Sequence, residues 1–269
     1  MNYLFWNTYR NKNINKYLVK IIKEYSCDLI ALAEYEDNIL DLLNELDKIG
    51  ISMFERSMIA CKRIRVISRF KNSELKLYND SSHYTIVGFR NRRGDISLCS
   101  FVHFQSKTNA RSVSDLLGTI IDFKSSLERL EDKYKTNSSI VVGDFNLNPF
   151  EEPMIGALGA HAIPCKKVAK RNKRKIAGKD YKMFYNPMWN LFGDNNSPPG
   201  TYYYSSSEQV SYFWNIFDQV IIRPDVVEFF DIDSLKVVTQ VDDIKLLNKN
   251  GIPDKNNISD HLPIFFSIE

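Results

Sequence analysis

Apolar residues along this chain fall in two rhythms, short uninterrupted runs and longer stretches spaced at three and four. Short runs closed by turn residues read as buried strands, and the spaced stretches read as amphipathic helices. Tyr3 to Trp6 is the first run, with Asn7 at its end. Ile14, Tyr17, Leu18, Ile21, Ile22 and Tyr25 then share one helical face. Leu29 to Ala33 predicts a second strand ending at Glu34. Asp37 stands where it would cap a helix running to about Lys48, with Ile39, Leu42, Leu43 and Leu46 on its apolar side.

The middle of the chain reads as consecutive strands, about Ser52 to Ala60, Ile64 to Ser68, Glu74 to Tyr78, Tyr84 to Phe89 and Ile96 to Phe104. Such a run implies antiparallel neighbours rather than a purely parallel sheet. A long helical stretch from about Ser112 to Tyr134 leads to the β-branched run Ile140 to Val142, which Gly143 is expected to break. A short helix near Pro153 to Leu158 follows, then strands near Val220 to Ile222 and Ile264 to Ile268. No linker rich in Pro, Gly or Ser divides the 269 residues, so a single domain is expected.

Hydrophobic residues make up 43% of the chain and charged residues 26%, the balance of a globular protein rather than a disordered one. Net charge is only +3, yet Lys166 to Lys175 holds seven basic residues and no acidic one. The basicity is therefore local. Cys27, Cys61, Cys99 and Cys165 are scattered without a CxxC pair, which reads as free thiols in a reducing compartment. No stretch approaches the ~18 consecutive apolar residues of a membrane span, and the N-terminus lacks the pattern of a signal peptide. A cytoplasmic protein with no membrane partner is expected.

Chemistry-bearing residues stand at or beside the ends of the expected strands: Asn7, Glu34, His103, Asp144 with Asn146, Asp218, and Asp260 with His261. Side chains there look out over a sheet edge, where α/β proteins place their sites. Each alone has a blander reading, since carboxylates and amides at strand ends serve as turn residues and helix caps. Eight of them along one chain point to chemistry.

The sequence resembles the endonuclease/exonuclease/phosphatase superfamily, the DNase I-like proteins. The matching stretches occur in the family's order: FWN (Phe5 to Asn7), DLIALAE (Asp28 to Glu34), VHF (Val102 to Phe104), GDFN (Gly143 to Asn146), FDQV (Phe217 to Val220) and SDHLP (Ser259 to Pro263). The resemblance implies a four-layer α/β/β/α sandwich of two mixed, largely antiparallel sheets. It also implies a metal-dependent phosphoric ester hydrolase, with Mg²⁺ or Mn²⁺ held by Glu34 with Asn7 and Asp260. His261 would be the base or phosphate-polarising residue, oriented by Asp218. His103 would help protonate the leaving group. Asp144 would orient or deprotonate the attacking water, with Asn146 donating to a phosphate oxygen.

Substrate class is drawn from the remaining features. Leu147-Asn148-Pro149 follows GDFN where inositol polyphosphate 5-phosphatases carry Tyr-Arg, which sets that branch aside. Ile216 stands where many DNA repair members have Arg. A basic and aromatic insert covers about 160–215, and its aromatic part resembles segments of bacterial members of the superfamily. Lys166, Lys167, Lys170, Arg171, Lys173, Arg174 and Lys175 would bind nucleic acid without sequence preference if their loop borders the cleft; otherwise they form a solvated surface. The aromatics from Phe184 to Asn215 either pack under a loop or stack on unpaired bases. The reading is a nuclease, with a phosphatase or phosphodiesterase of a small phosphorylated molecule or lipid headgroup as the alternative.

Overall fold

A computed structural model of the protein describes residues 1–91, 93–107, 112–193, 198–207 and 209–269. Parts of the expected aromatic insert, residues 194–197 and 208, lie outside the described residues. Two large mixed sheets dominate. In the first, the strands stand in the order Phe230–Val237, Ile264–Ile268, Asn2–Asn7, Leu29–Ala33, Ile64–Ser68 and Phe54–Arg56. The second runs Lys76–Asp80, Tyr84–Arg90, Ile96–His103, Ser139–Asp144, Asp218–Ile222, Phe184–Tyr185 and Ala162–Ile163.

Each sheet has one long parallel pair in its middle, Asn2–Asn7 with Leu29–Ala33 and Ile96–His103 with Ser139–Asp144. Parallel neighbours need a crossover, and helices Asn15–Glu24 and Val113–Tyr134 supply it. The antiparallel run expected in the middle of the chain is present.

The central strands are continuous apolar runs because both of their faces are buried. Tyr3, Phe5, Leu29 and Ala31 of the first sheet meet Phe101, Ile140, Val142 and Val220 of the second. Residues one step along each strand point the other way. Leu4, Trp6, Ile30 and Leu32 face the helices through Leu18, Ile21, Ile22, Leu42 and Leu46. Val102, Val141 and Ile221 face Leu116, Ile120, Phe123 and Leu127. The result is the four-layer α/β/β/α arrangement.

Several expectations need correction. Gly143 does not end its strand, which continues through Asp144. A Cβ on Gly143 would lie 1.9 Å from the Val102 carbonyl oxygen, so glycine permits close approach there. The cap of helix Ile39–Lys48 is Asn38, not Asp37, which accepts instead from the Asn15 and Asn38 amides. The strand expected over Ser52 to Ala60 shrinks to Phe54–Arg56, because the Asp80 carboxylate takes the amides of Ile59, Ala60 and Cys61. Strand Phe230–Val237 was not expected; its DIDS stretch lacks an apolar run, and its register with Ile264–Ile268 shifts between Asp231 and Lys236.

Candidate active site

Strand register brings the polar ends together. Asn7 lies beside Ala33, so Glu34 follows directly at the same edge, with φ of 49°. In the second sheet His103 pairs with Asp144, and Asp144 also pairs with Asp218. Asp260 and His261 precede strand Ile264–Ile268, which lies next to Asn2–Asn7. The Trp6 indole N–H donates to the His261 carbonyl at 2.9 Å, and Ser259 Oγ donates to the Asn7 carbonyl at 2.7 Å. These bonds tie the SDH segment across the edge of the first sheet.

The side chains form a connected network. His261 Nδ1 lies 2.8 Å from Asp218 Oδ2, and His261 Nε2 lies 3.9 Å from Asp144 Oδ2. Asn7 Nδ2 donates to the same Asp144 oxygen at 3.0 Å. His103 Nε2 stands between Glu34 Oε1, at 3.6 Å, and Asp144 Oδ2, at 3.8 Å. Arg10 pairs with the other Glu34 oxygen at 3.3 Å. All seven of the expected catalytic and metal side chains other than Asn146 line one cleft of about 930 Å³ or contact a residue that does, and Asn146 lines it too.

Burial and charge oppose one another at this site. Burial disfavours the His261 imidazolium, but the Asp218 carboxylate, joined by Asp144 and Asp260, outweighs it and raises the pKa to about 10. Burial pushes Asp218 up, against the pull of His261. Burial likewise raises Asp260, countered by His261 and Lys255. A group held in this way keeps a proton within the Asp218–His261 pair.

Glu34, Asp260 and the Asn7 Oδ1 atom are hard oxygen donors of the kind that suits a small divalent cation. Asp260 Oδ1 is buried and has no hydrogen-bond partner among the described residues, which is costly unless a cation or water satisfies it. Asp144, Asp218 and His261 also gather ligand atoms within 4.8 Å of one another and can hold a metal ion. Asp218 and His261 already satisfy each other through Nδ1, so the oxygen donors on the Glu34 side are the better fit.

Asn146 lies just beyond the strand that ends at Asp144. It sits in a turn at φ of 52°, its amide N–H donates to Asp144 Oδ1 at 2.8 Å, and its Nδ2 donates to the Phe104 carbonyl at 2.9 Å. Its side chain thus braces the loop that fixes Asp144.

The basic segment is not at the cleft. Lys170 pairs with Glu228, Lys182 with Glu131 and Asp132 at the last turn of the long helix, and the Met183 carbonyl accepts from Arg223. Tyr185 pairs with Ile222, four residues and roughly 13 Å along the strand from Asp218. Hairpin Lys173–Ile176 with Lys179–Lys182 therefore lies at the opposite end of the second sheet. Of the two readings of Lys166 to Lys175, the placement away from the cleft leaves the solvated surface: β-pairing, invisible in a run of lysines, carries the segment there.

Sequence reasoning missed Tyr202. Its ring lies 4.7 Å from the His261 ring and stacks on Phe217 at 5.3 Å, while the Leu262 amide donates to the Thr201 carbonyl. Burial, reinforced by Asp260, raises its hydroxyl to about 12. The only signal was the run Tyr202-Tyr203-Tyr204, in which nothing distinguishes one tyrosine from the next.

Two mixed sheets packed face to face between helices, with a polar cleft at one edge, are a fold this chain shares with solved endonuclease/exonuclease/phosphatase structures. Among solved structures, a family member of that name from Leptotrichia buccalis C-1013-b aligns over 100% of this chain and 99% of its own at 15% identity, TM-score 0.54. An AP endonuclease from Archaeoglobus fulgidus aligns over 100% and 99% at 11% identity, TM-score 0.57. ANGEL2, described as a 2',3'-cyclic phosphatase, aligns over 98% and 93% at 14% identity, TM-score 0.59. Likeness at these identities is one of fold. No protein-family model and no curated protein sequence matches the chain.

Proposed function

We propose that the protein is a divalent-metal-dependent phosphodiesterase that hydrolyses nucleic-acid phosphodiester bonds. The observation that carries this reading is the buried chain of contacts from Asp218 through His261 and Asp144 to Asn7, with Glu34 and His103 beside it in one cleft. In-line hydrolysis requires a water held opposite the leaving oxygen, relief of phosphate charge, and a proton for the departing group. The residues supply each part.

Glu34, Asp260 and Asn7 would hold Mg²⁺ or Mn²⁺, whose contribution is to neutralise charge on the phosphate. Asn7 and the Asn146 amide fix both oxygens of Asp144, leaving lone pairs to orient the attacking water and accept its proton. Asp218 occupies Nδ1 of His261 and so aims Nε2 at the phosphate. Tyr202 fixes the plane of that imidazole by packing on it. His103, between Glu34 and Asp144, would hand a proton to the leaving oxygen.

The test is cleavage of labelled single-stranded DNA, duplex DNA and RNA with Mg²⁺ or Mn²⁺, beside EDTA and His261→Ala controls. Metal-dependent cleavage lost in both controls supports the reading. Silence on every polymer, with turnover of a small phosphate ester, transfers the same site to the alternative substrate class.

A further inference from the structure

One wall of the cleft is the hairpin formed by Tyr202–Tyr204 and Phe213–Asn215. Alternation puts Tyr202 and Tyr204 on one face and Tyr203 on the other, where Trp214 meets it edge-on at 5.4 Å. Tyr202 is committed to His261 and Phe217. Tyr204 lies two residues further along the same face, roughly 7 Å away. It is 57% exposed, and no other ring among the described residues contacts it. Tyr212, 54% exposed, lines the same cleft, its ring resting edgewise against Phe150 at 5.1 Å.

At the other end of the cleft stand Lys62 and Arg63, which make no ion pair with a carboxylate among the described residues. They precede strand Ile64–Ser68, three positions across the first sheet from the strand that follows His261. At strand spacing that is roughly 14 Å, longer than one nucleotide needs. The cleft thus offers aromatic faces on one side of the reacting centre and the cations Lys62 and Arg63 on the other.

We propose that Tyr204 and Tyr212 stack on an unpaired base next to the scissile phosphate while Lys62 and Arg63 hold the backbone beyond it, making single-stranded nucleic acid the substrate. The inference rests on the phosphodiesterase reading above and names the substrate of that same site. Inside a duplex each base face is covered by its neighbours, so exposed rings can engage only a strand whose bases are free. Cations spaced along the cleft add a sequence-independent, salt-sensitive contribution.

The experiment compares wild type, the double variant Tyr204→Ala with Tyr212→Ala, and the double variant Tyr204→Phe with Tyr212→Phe. Substrates are short labelled single-stranded oligonucleotides of DNA and RNA and their duplexes. Wild type is expected to prefer the single strands. The alanine variant should raise KM for them about tenfold, as loss of base stacking does, and the phenylalanine variant should restore it because the ring, not the hydroxyl, makes the contact. Wild-type preference for duplex, or an alanine variant with unchanged KM on single strands, overturns the inference while leaving the enzymatic reading intact. A wild type silent on every polymer overturns both, and is distinguished because no variant is needed to see it.

Discussion

Asp218 holds Nδ1 of His261 at 2.8 Å, and both side chains are buried. The pairing fixes which nitrogen faces the cleft. Asp218→Asn keeps the shape but can present an amide N–H to Nδ1 and so favours the other tautomer. Loss of a positioned acid–base group is worth ~10²–10⁴ in rate. We expect kcat to fall at least 100-fold in phosphodiester cleavage, with far-ultraviolet circular dichroism unchanged; a fall of less than threefold would show that the pair is structural.

Glu34 sits at the cleft with Arg10 on one oxygen and His103 near the other. As the principal metal ligand of the proposed site, it should set metal demand. Glu34→Gln keeps the volume and removes the charge. The Mg²⁺ concentration giving half-maximal activity should rise by about tenfold or more, and metal binding followed by calorimetry should weaken in parallel. An unchanged metal titration would remove Glu34 from that role.

Gly143 carries no side chain because the Val102 carbonyl oxygen occupies the place of its Cβ. Gly143→Ala must push apart the strands bearing His103 and Asp144. Overpacking of this kind costs ~1–3 kcal/mol. A clear drop in Tm together with lost activity is expected, since the displaced backbone carries two site residues. A variant with wild-type Tm would mean that the sheet yields there at little cost.

Arg223 is fully buried far from the cleft. Its Nε meets Glu131 at 2.8 Å, its Nη2 meets Glu128 at 3.0 Å, and its guanidinium lies 3.8 Å over the Phe184 ring. Removing one member of such a buried set costs ~3–5 kcal/mol. Arg223→Ala should lower stability to chemical denaturant by that order. Arg223→Lys should rescue little, because lysine lacks the planar fork. Full rescue by lysine would show that charge alone matters.

His161 is buried, with Nδ1 facing the Lys182 carbonyl at 3.2 Å. Burial, then the positive charge of Lys124 and more weakly of Arg174 and Arg223, lowers its pKa to about 4 against the partial support of that carbonyl. Between an unfolded pKa near 6.5 and about 4, the unfolded chain binds a proton that the native state refuses. Stability present above pH 6.5 is therefore lost as pH falls, by up to about 3 kcal/mol from this group. Denaturant unfolding at pH 7 and pH 4.5 should show the loss. His161→Asn, which tolerates the positive φ of 55° at this position, should flatten it. An equally steep decline in the variant would assign the loss elsewhere.

Much of the fold was legible because its middle strands are buried on both faces. Leu29–Ala33, Ile64–Ser68 and Ile264–Ile268 have the expected bounds, since short, mostly apolar and β-branched or aromatic runs leave few alternatives. Helix Val113–Tyr134 differs from expectation by only its first residue, with Ser112 as its cap. Where a polar side chain makes a long-range bond the reading failed. Asp80 turned Ile59 and Ala60 out of the expected strand, and no local signal announces a partner about twenty residues away.

The candidate site followed the same division. Sequence alone determined that Asn7, Glu34, His103, Asp144, Asp218, Asp260 and His261 stand at strand ends, because the apolar runs before or after them are strands whichever way the sheets pack. Only tertiary structure decided that these ends share one edge. Register between strands far apart in the chain, as between Ile96–His103 and Ser139–Asp144 or between Asn2–Asn7 and Ile264–Ile268, is set by packing of both sheet faces and not by any local preference. The same physics sent the lysine-rich segment to the far end and brought Tyr202 onto His261. Charge and aromaticity are visible in a sequence, but the hydrogen-bonded pairing that gives them a place is not.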